Sequence, residues 1–340
     1  MIKVAIHHRE NSFSERWIEY CKISKVKFII VDCFDSDIIK VLKAEKVTHL
    51  MWHFHHSSTY DIQVSSYVFN SAEQLGIRTF PNFATRWHFD DKVAQKYMFE
   101  SLDIPIANSW VFYSREDAEQ FISEINFPIV TKLRRGAGST NVNLLHDDRE
   151  VRNTIYLMFE KGVSPSGRIF SNLAQKLRLA KKVKSPFLLL KKLIKNFRRL
   201  ENEKAIESFE KGYIYFQEFM PRNQFDTRII VVGNKAFGIR RFNRPGDFRA
   251  SGSGQIDYDI KSIDVNFVKT AFIAAKRIKA QCLAFDFVYD IEKNPKIIEV
   301  CYAFSMVAYD RCEGYWDDEL NFHKGLFNPQ FFMIDDLLKV

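Results

Sequence analysis

The sequence predicts an α/β protein: a small parallel-sheet domain at the N-terminus, then a larger strand-rich region. Three observations carry that reading. Across the first 80 residues, short apolar runs rich in β-branched and aromatic residues alternate with helix-like stretches, the pattern of a parallel sheet with helices on its faces. FPNF at 80–83 breaks the alternation. From Gly212 onward strands dominate, and among them CLAFDFVYD and PKIIEVC flank a turn-like IEKN.

In order, VAIHH, KFIIVDCF and THLMWHF are the first strands, with helices expected near 13–22, 36–46 and 61–75; Gly76 supplies a stop for the third. A helix is expected from about Asp90 to Leu102, halted by DIP at 103–105. SWVFYS, a helix near 115–125 and the strand PIVTKL follow, then the loop RRGAGST at 134–140, whose two glycines allow the backbone to approach a ligand closely. Residues 150–210 read as helical, with breaks at 162–167 and at Ser185-Pro186. YIYFQEF, TRIIVVG and KAFGIRRF are strands, 264–280 a helix, and 329–338 a last short helix. The expected domains are 1–88, then 89–220 with an insertion at 161–210, then 221–340.

At 340 residues the chain is long enough for two or three structural units. Its 46% hydrophobic and 27% charged residues are those of a soluble globular protein. The N-terminus lacks the apolar core of a signal peptide, and no run of about 18 apolar residues marks a membrane span. Five cysteines, odd in number and without CxxC spacing, suit a reducing cytoplasm. The net charge of +8 is local: residues 161–200 hold twelve Lys or Arg and no acid, so the rest of the chain sums to −4.

In the hairpin 282–301, alternation puts Asp286 and Val288 on one face of the first strand and Glu299 and Cys301 on one face of the second. With the turn centred between Glu292 and Lys293, Asp286 lies opposite Glu299. Opposed carboxylates repel. A hard divalent cation bound through oxygen would neutralise them; a neighbouring arginine, or a register slipped by one residue, are the alternatives. Lys132 ends an apolar strand just before Gly136, Gly138 and Ser139, an arrangement in which backbone N–H groups and a lysine charge hold phosphate; an ordinary glycine-containing loop is the alternative. The strand ending in Gln217-Glu218-Phe219 offers backbone groups to an adenine, with Glu218 and Asp226 as acceptors, or is an edge strand with solvated polar residues. Arg228, Arg240, Arg241, Arg244 and Arg249 cluster along TRIIVVG and GIRRFNRPGDFRASGSG, and guanidinium forks suit the oxygens of a phosphoryl-transfer site. Arg240 and Arg241 are adjacent on a strand, so only one faces that site.

Taken together, DDKVAQKYMFESLDIPIANSWVF, PIVTKLRRGAGST, IYFQEFMPRNQFDTRIIVVGNKAFGIRRFNRPGDFRASGSG and LAFDFVYD with KIIEVC resemble, in order, the segments of the ATP-grasp superfamily. The third of them is similar to ribosomal-protein glutamate ligases and glutathione synthetases. The resemblance covers about 90–340 and implies a two-lobed ATP-grasp fold after the small α/β domain. It implies ATP and Mg²⁺ as cofactors and a carboxylate and an amine as substrates, joined through an acyl phosphate. By position, Lys92, Lys132, Glu218, Phe219, Asp226, Arg249, Ala250 and Ser251 would bind nucleotide, with Arg228 and the glycine loop, and Asp286 and Glu299 would hold Mg²⁺. Arg240 or Arg241, with Arg249, would stabilise the transferring phosphoryl group, and Tyr302, Tyr309 or Arg311 would touch substrate. One departure stands out: the family places Asn two residues after the second metal carboxylate, and this chain has Cys301, a poor Mg²⁺ ligand. That departure keeps a nucleotide-binding pseudoenzyme among the readings. The tail from Cys301 to Leu338 resembles a branch tied to bacterial surface-polysaccharide synthesis, implying a uronic-acid carboxylate; an amino-acid ligase acting on protein or peptide is the alternative.

The basic segment QKLRLAKKVKSPFLLLKKLIKNFRRL exceeds what this fold needs. It reads as a helix docking on an anionic membrane surface, as a capture site for acidic polysaccharide, or as a solvated helical hairpin; nucleic acid is not expected as a partner. The resulting location is cytoplasmic, peripheral to the membrane if the segment docks there. His53, His55 and His56 form a histidine-rich strand end, read as lining a cleft rather than as a zinc site, and the sequence leaves the oligomeric state open.

Overall fold

The computed structural model describes residues 1–55, 59–136, 141–164 and 210–339. The chain divides into two units, one of residues 1–56, 60–107 and 220–340, the other of 57–59 and 108–219. In the first unit, β1 (Val4–His7), β2 (Phe28–Val31), β3 (His49–Trp52) and β4 (Arg78–Phe80) form a parallel sheet in the order β2-β1-β3-β4. The central strands β1 and β3 are buried throughout, which is why Val-Ala-Ile-His and His-Leu-Met-Trp show no alternation. Helices α1 (Phe13–Ile23), α2 (Ile38–Ala44) and α3 (Thr59–Gln74) make the crossovers. Gly76 follows α3 at φ +74°, the left-handed stop expected of it. Strand β4 was not expected; three residues are too few to show a period.

After the short α4 (Phe83–Arg86), α5 (Lys92–Ser101) begins at Asp91, whose Oδ1 accepts from the N–H groups of Val93 at 3.1 Å and Ala94 at 3.0 Å. Residues 90–107 lie in the first unit with 220–340. The second unit holds β5 (Ser109–Phe112), β6 (Ile129–Lys132), β7 (Val142–Leu145) and β8 (Ile214–Glu218), antiparallel in the order β5-β8-β6-β7, with α6 (Arg115–Gln120) and α7 (Asp148–Tyr156). Most of the basic insertion, including 165–209, lies outside the described residues, as do Gly138, Ser139 and His56.

Back in the first unit, β9 (Phe225–Val232), β10 (Lys235–Phe242), β11 (Ile256–Asp257), β12 (Cys282–Tyr289), β13 (Pro295–Cys301), β14 (Gly314–Asp317) and β15 (Phe322–Lys324) pair antiparallel in the order β13-β12-β9-β10-β14-β15, with β11 on β10. One face is covered by α8 (Val265–Ile278), whose buried Phe267, Val268, Ala271, Ala274, Ala275 and Ile278 follow a helical stripe. The chain closes on α9 (Pro329–Lys339). Strands β14 and β15 were not expected. Their turn copies that of the β12–β13 hairpin: Asp317 Oδ1 accepts from Glu319 and Asn321 N–H groups as Asp290 Oδ1 does from Glu292 and Asn294, and Leu320 and Lys293 both sit at φ +68°.

Gly238 sits where β10 crosses β9. A Cβ there would lie 2.5 Å from Ile229 Cδ1 and 2.9 Å from the Arg228 carbonyl oxygen. Gly238→Ala is expected to lower stability by about 1–3 kcal/mol, read as a reduced urea midpoint at unchanged slope; an unaltered midpoint would show that β9 yields freely.

Candidate active site

The sheet alternation places Asp226 and Arg228 of β9, Arg241 of β10, Asp286 of β12 and Glu299 of β13 on one face, through the pairings Arg241↔Asp226, Asp286↔Arg228 and Asp286↔Glu299. The opposition of the two carboxylates is the one read from the hairpin, reached by a different path. From Tyr289↔Pro295 to Phe287↔Ile297 the register is one residue short; a bulge between Asp286 and Phe287 then absorbs Ile298 and brings Glu299 opposite Asp286.

Arginines neutralise Asp286. Arg228 grips it as a fork, Nε to Oδ1 at 2.5 Å and Nη2 to Oδ2 at 2.7 Å. Arg241 Nη2 adds a contact to Oδ2 at 2.9 Å while holding Asp226 through Nε at 2.7 Å and Nη2 at 2.6 Å. Burial pushes the Asp286 carboxyl up, but Arg228 and then Arg241 outweigh it and hold the group well below the carboxylate range. For Asp226 burial is the larger influence, and its carboxyl is raised despite Arg241. Asp226 was expected to accept from nucleotide; buried, with both oxygens on Arg241, it orients that arginine instead. Arg240 points to the opposite face, bound to Asp257 and lying over Phe225 at 4.7 Å, so Arg241 is the arginine of the pair that faces the carboxylates.

Lys92 reaches the same group: its Nζ lies 3.1 Å from Glu299 Oε1. Gln95, one turn further along α5, fixes that approach. Its Oε1 accepts from the Val300 N–H at 3.2 Å and its Nε2 donates to the Val300 carbonyl at 3.0 Å, so the side chain pairs with β13 as a strand would. Nothing in the sequence pointed to this, since a neutral amide inside a helix stands out in neither charge nor period.

Magnesium asks for oxygen ligands in near-octahedral array and keeps several waters. Asp286 and part-exposed Glu299, opposed on one face, fit as two such ligands, the remainder being left to phosphate and water. Cys301 supplies none: burial pushes its thiol up to about 12, and Sγ donates to the Ala303 carbonyl. Among the described residues no three metal-ligating side chains converge, so these residues fit an ion brought in with phosphate oxygens rather than one caged by protein.

Arg249 chelates Asp247, with Nη2 to Oδ2 at 2.7 Å, and holds that carboxyl below its usual range. Arg244 Nη2 donates to the Ser251 carbonyl, closing the loop that carries Ala250 and Ser251. In the second unit, Lys132 Nζ donates to Gln217 Oε1 at 2.7 Å; Gln217 Nε2 donates to Ser109 Oγ and Tyr215 Oη, each at 3.1 Å. All four are buried, so the lysine's direction is set by a polar chain that the sequence reading missed apart from Lys132. Glu218 stands exposed at the end of β8, its Oε2 accepting from Asn108 Nδ2 at 2.8 Å, with Phe219 next to it and Gly136 after β6.

Two expected substrate contacts are corrected. Tyr302 is fully buried, its hydroxyl taking the Phe54 N–H and donating to the Phe54 carbonyl, and Tyr309 is buried as well. Arg311 lies over Tyr258 at 4.4 Å. His53 is stacked on Phe13 at 3.8 Å, and its Nδ1 accepts from the Phe13 N–H, which fits packing at the start of α1. The five cysteines are unpaired.

The family model of the RimK-like ATP-grasp domain matches residues 181–314. The structure is similar to the RimK domain ATP-grasp protein from Sphaerobacter thermophilus, at TM-score 0.55 and 14% identity over 99% of this chain and 100% of that one. It is also similar to the biotin carboxylase domain of Hydrogenobacter thermophilus 2-oxoglutarate carboxylase, solved with MgADP, at TM-score 0.58 and 12% identity over 97% of this chain and 68% of that one. D-alanine–D-alanine ligase from Bacillus anthracis in complex with ATP aligns at TM-score 0.54 and 12% identity, over 90% and 87%. No curated protein matches in sequence.

Because the folded pKa of Asp286 lies below the unfolded value of about 3.9, its contribution is complete above that pH and is lost as pH falls through the lowered value. Asp286→Asn is expected to cost about 3 kcal/mol at pH 7 and progressively less below pH ~4, measured by urea unfolding of both proteins; a gap that does not narrow in acid contradicts the ion-pair account.

Proposed function

We propose that this chain, which has the ATP-grasp fold and a RimK-like ATP-grasp match over 181–314, is an ATP- and magnesium-dependent ligase that forms an amide from a carboxylate and an amine. The observation that carries the reading is the Asp286–Glu299 pair, opposed on one sheet face and flanked by Arg228, Arg241 and Lys92. Carboxylate attack on the terminal phosphate yields an acyl phosphate and ADP; the amine then attacks the carbonyl carbon and phosphate leaves. Charge grows on the phosphoryl oxygens in the first step, and fixed guanidinium and ammonium groups stabilise it without reorganising. Arg241, held by Asp226, and Lys92, aligned by Gln95, are fixed in this sense. On the second unit, Lys132 is aimed by Gln217 for a phosphate, and Glu218 with Phe219 is offered to the base. Arg249, Ala250 and Ser251 belong to a closed loop suited to backbone contact with nucleotide. A magnesium ion at Asp286 and Glu299 would supply Lewis-acid stabilisation of phosphate oxygens.

The acceptor in this proposal is a uronic-acid carboxylate of a cell-surface polysaccharide precursor, supported by the likeness of the tail 301–338 to that branch, and the enzyme works at the cytoplasmic face of the membrane. Among the described residues no helix is long and apolar enough to cross a membrane. A second reading, nucleotide binding without turnover, draws on Cys301 at the third metal position and on the arginines that occupy Asp286.

Incubation with Mg-ATP, nucleotide-activated uronic acids and amino acids should release ADP only when both acid and amine are present. Peptide acceptors in place of the sugar acid would redirect the substrate assignment, and tight ATP binding without turnover across the screen would favour the second reading. Glu299→Gln should cut turnover by about 100-fold or more while leaving the fold intact by circular dichroism; undiminished turnover would remove Glu299 from the site.

A further inference from the structure

Five charged groups share the sheet face, and they are unequally exposed. Asp286, Arg241 and Asp226 have side chains 6%, 9% and 9% exposed, whereas Arg228 is 18% and Glu299 30% exposed. An incoming anion therefore meets Arg228 first, and an incoming cation meets Glu299 first. The two arginines also differ in what would remain to them if Asp286 left. Arg241 keeps its fork on Asp226, while Asp286 is the acid paired with Arg228 among the described residues.

A carboxylate and a phosphate present the same two-oxygen edge to a guanidinium fork, so each can replace the other. Displaced from Arg228, Asp286 would be a buried carboxylate with one remaining arginine contact, which is costly unless a cation takes it up. That cation has a place already prepared, because Glu299 stands directly opposite. Conversely, a divalent ion arriving alone finds Asp286 engaged through both oxygens.

We propose that Asp286 is an internal competitor for Arg228, standing where a polyphosphate oxygen pair binds, so that the anion and the divalent cation each open the site for the other. The inference rests on the ligase reading for the identity of the anion, ATP, and deepens it by making metal and nucleotide binding mutually conditional. Linkage makes the conditionality reciprocal: whatever factor the cation adds to ATP affinity, ATP adds to cation affinity. Asp286 is thereby given opposite effects in the two conditions. Without metal it opposes ATP; with metal it supports it.

Calorimetric titration of the full chain with ATP in EDTA, and again with Mg²⁺, reads this directly. Asp286→Asn is expected to bind metal-free ATP about tenfold more tightly than the parent chain, removal of the competitor adding one decade of affinity, and to lose the enhancement that Mg²⁺ gives the parent. Glu299→Gln, which leaves Asp286 on Arg228, should also lose the enhancement that Mg²⁺ gives the parent. Metal-free binding that weakens or stays level in Asp286→Asn overturns the proposal. Should that variant fail to fold, the parent chain still decides: Mn²⁺ followed by electron paramagnetic resonance should stay free at micromolar concentrations without ATP, and tight Mn²⁺ binding by the protein alone overturns the proposal. Mg²⁺-dependent ATP binding with no gain in Asp286→Asn sinks this inference alone, whereas no ATP binding in any condition sinks the ligase reading with it.

Discussion

A single buried carboxylate, Asp286, and the two guanidinium groups that hold it are the constraint on which the strand face depends. A charge so far from water is stable only with close, well-directed partners. Arg228 and Arg241 are supplied from adjacent strands at matched register, and Asp226 fixes the second of them. The network ties β9, β10 and β12 together on one side while α8 and its apolar stripe seal the other. Sheet geometry and site chemistry are therefore the same set of interactions.

In each unit a neutral amide supports a lysine. Gln95 pairs with the backbone of β13 and so holds Lys92 near Glu299; in the second unit Gln217 holds Lys132 from one side and is itself held by Ser109 and Tyr215. An amide side chain has both a donor and an acceptor and carries no charge, so it fixes a lysine's direction without neutralising it. Lys132 is thereby aimed by Gln217, and Lys92 is set against Glu299.

What the sequence made legible follows from where periodicity and charge are strong. The parallel sheet was visible in β1 and β3 because buried parallel strands read as uninterrupted apolar runs, and in β2 because Phe28–Val31 is apolar throughout although it lies at the sheet edge. The opposition of Asp286 and Glu299 was legible because a hairpin's turn fixes its register. The strands β4, β14 and β15 were not: β4 and β15 have three residues each, and β14, Gly314–Asp317, mixes glycine and acid with its aromatics and shows no apolar run. The face of Arg241 followed from alternation only as one of two choices; the pairing with Asp226 settled it, and that pairing depends on β9 lying beside β10 rather than on any local pattern. Tyr302 and Tyr309 were misread because an aromatic hydroxyl in a tail says nothing of burial, and both belong to the core.

The bulge at Ile298 divides its hairpin into two regimes of tolerance to insertion and deletion. Beyond Tyr289 and Pro295 the tip only joins two strands, and its length is open to drift. Between Pro295 and Glu299 parity is fixed: with the bulge kept, adding one residue would set Ile298 against Asp286 and Glu299 against Phe285, on the opposite face. Length variation among chains of this architecture should gather at the tip and avoid the stretch beneath it.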